Sequence, residues 1–397
     1  MIHALIGNAQ HPEFGNSRVP LPIPSGDYEH ILELMKEWGI GEALEQDCYL
    51  TEITGDYPVL KGLERSSVNL DELDYLAKRL DSFFPGEAAQ FQAMAERLEL
   101  CSAADLINLT FCCQRVTVIT DFSDLDAVGR AHYMNLHGGG AFMEELEALD
   151  GYEMALSLID SEAGAVTPYG VVYDNGMVLE QLYDGRHFPA YDHDASLIAL
   201  SVVPKTAGQE SPAVDYLYLP APDSVIERTL LRSGLAPDDI QFQVECDTLP
   251  QAVADVLDIT GEDAYELNGM CHAIRQLDTR EMDKLAAAVL LAKPETAFEV
   301  GELARNLDLF DFIPGVKDAE EYGKYMIQES GHFEYDPNLN NFYNYSQYGW
   351  DRINREQGQF NELGYISYQG TLTMEELLGG DPVERMDQQM DGMGGMT

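Results

Sequence analysis

Glu29, Glu33 and Glu37 stand four residues apart in LPIPSGDYEHILELMKEWGI (21–40). That spacing puts the three carboxylates on one side of a helix, about 6 Å apart along its axis, away from Ile31 and Leu34. Such a row catalyses nothing; it is a set of fixed anions, and its chemistry is attraction of cations. It costs stability, roughly 0.2–0.5 kcal/mol per like-charged pair. Further acids cluster at Asp71, Glu72 and Asp74, at Asp124 and Asp126, and at Glu144, Glu145 and Glu147. In the second half they recur at Asp318, Glu320, Glu321 and Asp351. These fifteen residues are the candidates for a partner-binding acidic surface.

Other chemistry is hard to find. No G-x-S-x-G, H-E-x-x-H, Walker loop or G-x-G-x-x-G occurs. Close acid pairs are unavoidable among 70 carboxylates, so a pair does not signal acid–base catalysis. HFPAYDHD (187–194) offers His187, Asp192, His193 and Asp194 to a metal, but it reads as a linker and has no counterpart in the second half. Tyr343, Tyr345 and Tyr348 could stack on bases, yet they lack basic flanks and read as packing residues. The six cysteines form no C-x-x-C pair and read as buried thiols. The expectation is no enzyme, no metal and no cofactor.

The elements that carry the acids must be placed next. The chain has 397 residues and a formal charge of −47. A charge of that size opposes binding to nucleic acid or anionic lipid and favours basic partners. No run of eighteen apolar residues and no charged-then-apolar leader is present, so the reading is no membrane span, no signal peptide and a cytoplasmic protein. Residues 1–200 hold 34 acids and 10 bases, and residues 201–397 hold 36 and 13. An even spread excludes an acidic tail and calls for a repeat search.

The halves align. IHALI (2–6) faces LIALS (197–201), and LDELDYLAKRLD (70–81) faces LNGMCHAIRQLD (267–278). From Glu87/Glu281 onward one offset of 194 holds, pairing DLDAVGR (124–130) with DAEEYGK (318–324). The chain therefore reads as a tandem duplication of an α+β module, elongated, with small antiparallel sheets flanking a small helical bundle. Copy 1 spans 1–195, divided into α/β 1–68, helical 69–137 and α/β 141–195. Copy 2 spans 196–385, divided into 196–265, 266–330 and 331–385, and 386–397 reads as a disordered tail. Helices are expected near 27–38, 69–81, 86–99, 102–114 and 122–134, with equivalents at 266–278, 280–292, 296–308 and 316–329. Ser102, Ser123 and Thr296 are expected N-caps. Gly39 is expected to stop the first helix, GGG (138–140) to be a joint, and Asn175–Gly176 to turn a closing hairpin.

Duplex DNA carries one negative charge per ~1.7 Å of axis, so a net −47 corresponds to at most roughly 80 Å of duplex, or about 24 base pairs. Acidic modules in tandem thus carry enough charge to imitate DNA. The other reading is an acidic binding protein or inhibitor of some other basic host or defence protein.

The chain also resembles the ArdA antirestriction proteins over essentially its whole length, as two family-like units. YMIQESG (325–331), YSQYGWD (345–351) and GQF…GYI (358–366) follow the family's closing order, and IHALIGN (2–8) with its acidic helix resembles the opening. The resemblance implies a non-enzymatic DNA mimic that occupies the DNA-binding groove of type I restriction–modification enzymes, formed by specificity and methyltransferase subunits, and does not itself bind nucleic acid. It also implies a dimer, either between chains or between the two copies as a pseudo-dimer, with Tyr345, Tyr348 and Trp350 near the contact. Trp350 stands where the family commonly has a basic residue, and copy 1 shows LDGYEMALSLID (149–160) in place of Tyr-x-x-Tyr-Gly-x-Asp.

Overall fold

A computed structural model describes residues 1–138, 140–161, 163–191, 196–205, 214–257, 259–332 and 334–379. The chain forms two compact units, one of Met1–Asp192 with Glu227–Leu235, the other of His193–Ile226 with Ala236–Thr397. The expected division after residue 195 does not foresee the placing of 227–235 with the first unit.

Unit 1 opens with strands whose alternation buries one face: Ile2, Ala4 and Ile6 on β1 (Ile2–Gly7), then Val19 and Leu21 on β2 (Asn16–Leu21). Helix α1 (Tyr28–Glu37) buries Tyr28, Ile31 and Met35, and Gly39 adopts a φ of +68° just past its end. Strands β3 (Cys48–Thr54) and β4 (Ser66–Val68) complete an antiparallel sheet of order β2-β1-β3-β4. Three helices follow: α2 (Leu70–Asp81), α3 (Pro85–Arg97) and α4 (Ala103–Leu109). Ser102 caps α4 by accepting from the Asp105 amide, but α4 stops at Leu109, and the expected continuation to 114 is a 3-10 turn at Cys113–Arg115. The unit closes with β5 (Thr117–Ile119), α5 (Leu125–Leu136), α6 (Met143–Ala148), α7 (Gly151–Ser161), β6 (Ala165–Thr167) and β7 (Gly170–Tyr173), in a sheet of order β5-β7-β6.

Unit 2 contains β8 (Ile198–Pro204), β9 (Asp215–Leu219) and the start of α8 (Asp223–Ser233), followed by β10 (Ile240–Asp247). Next come α9 (Gln251–Ala254), α10 (Ala264–Arg275), α11 (Thr279–Ala292) and α12 (Ala297–Arg305), which is capped by Thr296. The closing part is β11 (Phe310–Pro314), α13 (Ala319–Gln328), α14 (Tyr345–Glu356), β12 (Gln359–Phe360), β13 (Gly364–Tyr368) and α15 (Met374–Leu378). Its sheets have the orders β10-β8-β9 and β11-β13-β12.

Much of the element order of unit 1 recurs in unit 2, although among the described residues β4 and α6 lack counterparts and α9 and α15 are additional, and at the closing sheet the register recurs as well. Thr117 pairs with Tyr173, and Asp311 with Ser367, each shifted by 194. The helix crossings repeat as well. A β-carbon on Gly129 of α5 would overlap the carbonyl oxygen of Gly151 on α7; one on Gly323 of α13 would overlap that of Tyr345 on α14. Only a missing side chain lets two backbones approach this closely.

Two local expectations fail. The closing hairpin turns at Pro168–Tyr169, between β6 and β7, rather than at Asn175–Gly176. Asn175 and Gly176 do have positive φ (52° and 72°), but residues 177–191 form no strand. The cap of α5 is Asp124, not Ser123, whose hydroxyl donates to Asp121. Gly139 and the tail 386–397 lie outside the described residues, so the joint and the disorder expected there do too. Among the described residues no helix is long and apolar enough to cross a membrane.

Candidate interaction surface

On α1 the apolar face is buried, which turns Glu29, Glu33 and Glu37 to solvent. The structure thus brings these three together as one open row.

The acids of α2 behave otherwise. Asp71, Glu72 and Asp74 were expected on a displayed face; they are 5 %, 3 % and 3 % exposed and cannot meet a partner. Asp71 accepts from Arg228 Nε at 2.9 and 3.0 Å and from Arg232 Nη1 at 2.6 Å. Asp74 accepts from the Ile23 amide at 2.7 Å and pairs with Lys78 at 2.7 Å. Glu72 accepts from the Tyr183 hydroxyl at 3.0 Å. Burial raises the Glu72 pKa, the Tyr183 bond only partly opposing it, and the Asp71 charge adds to the rise. Burial likewise pushes the Tyr183 and Tyr28 hydroxyls up. The cause is packing: every residue from Leu70 to Ala77 is buried, so α2 has no open side there. Buried carboxylates survive only with donors, and this chain supplies two arginines for Asp71. The signal that could have found them was the Arg228–Arg232 pair, four residues apart in a base-poor chain.

Asp124 caps α5, and Asp126 pairs with Arg130 at 2.8 Å. That arginine's hydrogen bond holds the Asp126 pKa below the usual carboxylate range. At the equivalent place in unit 2, Asp318 caps α13 by accepting from the amides of Glu320 and Glu321, both at 2.9 Å. Glu321 accepts from the Lys317 amide, and Glu320 pairs with Lys324 at 2.7 Å. All five acids are exposed. They hold their helix starts together and favour the positive end of the helix dipole. Glu144, Glu145 and Glu147 on α6, and Asp351 on α14, are also exposed.

Of the three aromatic residues assigned to a dimer or inter-copy contact, Tyr345 is a correction. It is buried (8 % exposed), its carbonyl abuts Gly323, and its hydroxyl donates to Asn340 at 2.6 Å and accepts from Gln328 at 2.8 Å. Its packing is spent inside unit 2. Tyr348 is half-buried against the same core, whereas Trp350 is 53 % exposed. Sequence reasoning missed the group beside them. Glu356 accepts from Tyr322 at 2.5 Å, from Tyr365 at 2.9 Å and from Arg352 at 2.8 Å. Burial works against this carboxylate, yet the Tyr322, Arg352 and Tyr365 donors outweigh it and hold the pKa low. In unit 1 the offset of 194 puts Val128, Leu158 and Val171 where Tyr322, Arg352 and Tyr365 stand, and these pack as an apolar cluster.

His187 of the suspected metal segment is held by Asp184 at 2.7 Å; Asp192, His193 and Asp194 lie outside the described residues. Among the described residues no group of three or more His, Cys, Asp or Glu side chains could hold a metal ion. A scan of protein-family models finds none that matches the chain, and no curated protein matches it.

Proposed function

We propose that the protein is a non-enzymatic, stoichiometric inhibitor that imitates duplex DNA and fills the DNA-binding groove of a type I restriction–modification enzyme. The observation that carries this reading is the open row Glu29, Glu33 and Glu37, presented by a helix whose other face is buried. At about 6 Å of axis per carboxylate the row is sparser than one DNA strand, with a charge per ~3.4 Å, but a groove built of Lys and Arg attracts either. The exposed acids at the equivalent starts of α5 and α13 support it further, since each unit then offers anions at the same place in its fold.

The test is competition. The chain is added to a type I enzyme bound to labelled duplex, and displacement is followed by anisotropy. Displacement at a fixed stoichiometry is expected, and so is weaker binding as salt rises. The triple variant E29K/E33K/E37K should bind more weakly, by up to about 100-fold, since each exposed pair is worth up to ~1 kcal/mol. Unaltered DNA binding in the presence of excess chain would reject mimicry of this enzyme's substrate and favour a different basic partner.

A further inference from the structure

Thr117 on β5 is buried, and three side chains converge on its hydroxyl. Its Oγ1 lies 2.9 Å from His132 Nδ1, 3.2 Å from Asn135 Nδ2 and 3.0 Å from Asn175 Nδ2. The Asn175 amide is oriented by a second bond, donated by the same nitrogen to the Arg115 carbonyl at 2.7 Å. A hydroxyl has one proton and two lone pairs. The two amides take the lone pairs, so the proton goes to His132. Nδ1 must then accept, which fixes His132 as the neutral tautomer protonated at Nε2.

This knot joins β5, α5 and the turn after β7. A proton on Nδ1 would face a hydroxyl whose lone pairs are already occupied, and at least one of the three bonds would have to break. The offset of 194 puts Asp311, Met326, Glu329 and Gln369 at the four positions in unit 2. Met326 is buried and apolar there, with nothing to titrate.

We propose that His132 is an acid-sensitive pin, whose protonation frees α5 and the 174–176 turn from β5 in unit 1 while the matching part of unit 2 stays closed. The charged groups around it are engaged elsewhere or lie on neighbouring elements. Strand β5 has none. The 3-10 turn carries Cys113 and Arg115, and Arg115 pairs with Glu180 at 2.8 Å. The turn carries Asp174, paired with Arg97 at 2.5 Å. Helix α5 itself carries Asp126 and Arg130, paired with each other, and Tyr133 and His137, whose rings meet at a tilt of 33°. Helix α7 carries Glu153 and Asp160. Among the described residues none of these is hydrogen-bonded to the His132 ring. Burial lowers its pKa from the ordinary histidine value, so the release falls below about pH 6.5. The freed segment begins at Asp124 and Asp126, and acid would loosen part of the exposed acidic surface in one unit alone.

The full chain, labelled with ¹⁵N, tests this directly. At about pH 7.5 the imidazole nitrogen shifts of His132 should report an Nε2–H tautomer. Between that pH and about pH 5, protection factors of β5 and β7 amides should fall about fivefold to tenfold, the effect of losing one buried hydrogen bond, with those of β11 and β13 unchanged. His132→Met, which places the unit 2 residue in unit 1, should abolish the step. An Nδ1–H tautomer, an equal fall in both units, or a step that persists in His132→Met would overturn the proposal. Should that variant not fold, the tautomer and the comparison of units in the parent chain still decide.

Discussion

Replacing Asp71 by Asn separates a buried structural acid from a displayed one. The substitution keeps the shape and removes the charge, leaving Arg228 and Arg232 beside a neutral amide. Breaking one side of a buried ion pair costs about 3–5 kcal/mol. The lower end applies here, because both arginines retain other partners. Arg228 also donates to the Gly41 carbonyl at 2.8 Å, and Arg232 donates to Thr229 at 2.9 Å and lies over the Phe188 ring at 4.7 Å. A loss of roughly 3 kcal/mol in unit 1 is therefore expected, against less than about 0.5 kcal/mol for Glu33→Gln on the open face of α1. Trp38 lies in unit 1 and Trp350 in unit 2. In a Trp350→Phe background, urea unfolding followed by tryptophan fluorescence thus reports unit 1. An Asp71→Asn midpoint indistinguishable from that of Glu33→Gln would refute the buried assignment and return Asp71 to the surface.

Four other outcomes follow. Gly349→Ala should destabilise unit 2 by about 1–3 kcal/mol, since its β-carbon would overlap the Ala319 carbonyl oxygen. Gly86→Ala on α3, where a β-carbon meets open space, should stabilise by up to ~1 kcal/mol; thermal unfolding gives both signs. Glu72 has a raised pKa in the fold, so the stability it contributes is complete below the unfolded value near 4.5 and is lost as pH rises through the folded one. Glu72→Gln, still able to accept from Tyr183, should therefore be more stable than the parent at pH 7 and no more stable at pH 4, as checked by denaturation at both. Added salt should raise the stability of the free chain, by screening its own repulsion, while weakening its hold on a basic partner; the two trends, measured over one salt series, should have opposite signs.

What could be read from the sequence was local. The periodicity of Ile31 and Met35, the glycine after α1 and the caps Ser102 and Thr296 depend on residues within a turn or two, and each is where the pattern puts it. The 194-residue offset is also local in kind, since it compares like with like, and it carries through to strand register. The failures have distant causes. D-E-x-D at the start of α2 looks like any solvated helix start. What buries it is Arg228, 157 residues away from Asp71, and a tyrosine 111 residues from Glu72. Tyr345 is placed at a contact by resemblance alone, and no sequence pattern shows that its hydroxyl faces Gln328 and Asn340. The hairpin was misplaced because Asn-Gly is a strong turn signal, whereas the segment after it has no strand to pair with among the described residues.

The burial of Asp71, Glu72 and Asp74 changes where the charge is, not how much of it must be shown. With 70 acids and 23 lysines and arginines, the acids exceed these bases by 47. Asp71 alone takes two of those bases, Arg228 and Arg232. The bases are also drawn to structural work: Lys78 to Asp74, Arg130 to the start of α5, Arg352 to Glu356. Cations spent in this way cannot neutralise the outer faces of α1 and α6. A fold that places several of its few bases at buried carboxylates and helix starts leaves the exposed acids of α1 and α6 outnumbering the bases those two helices carry.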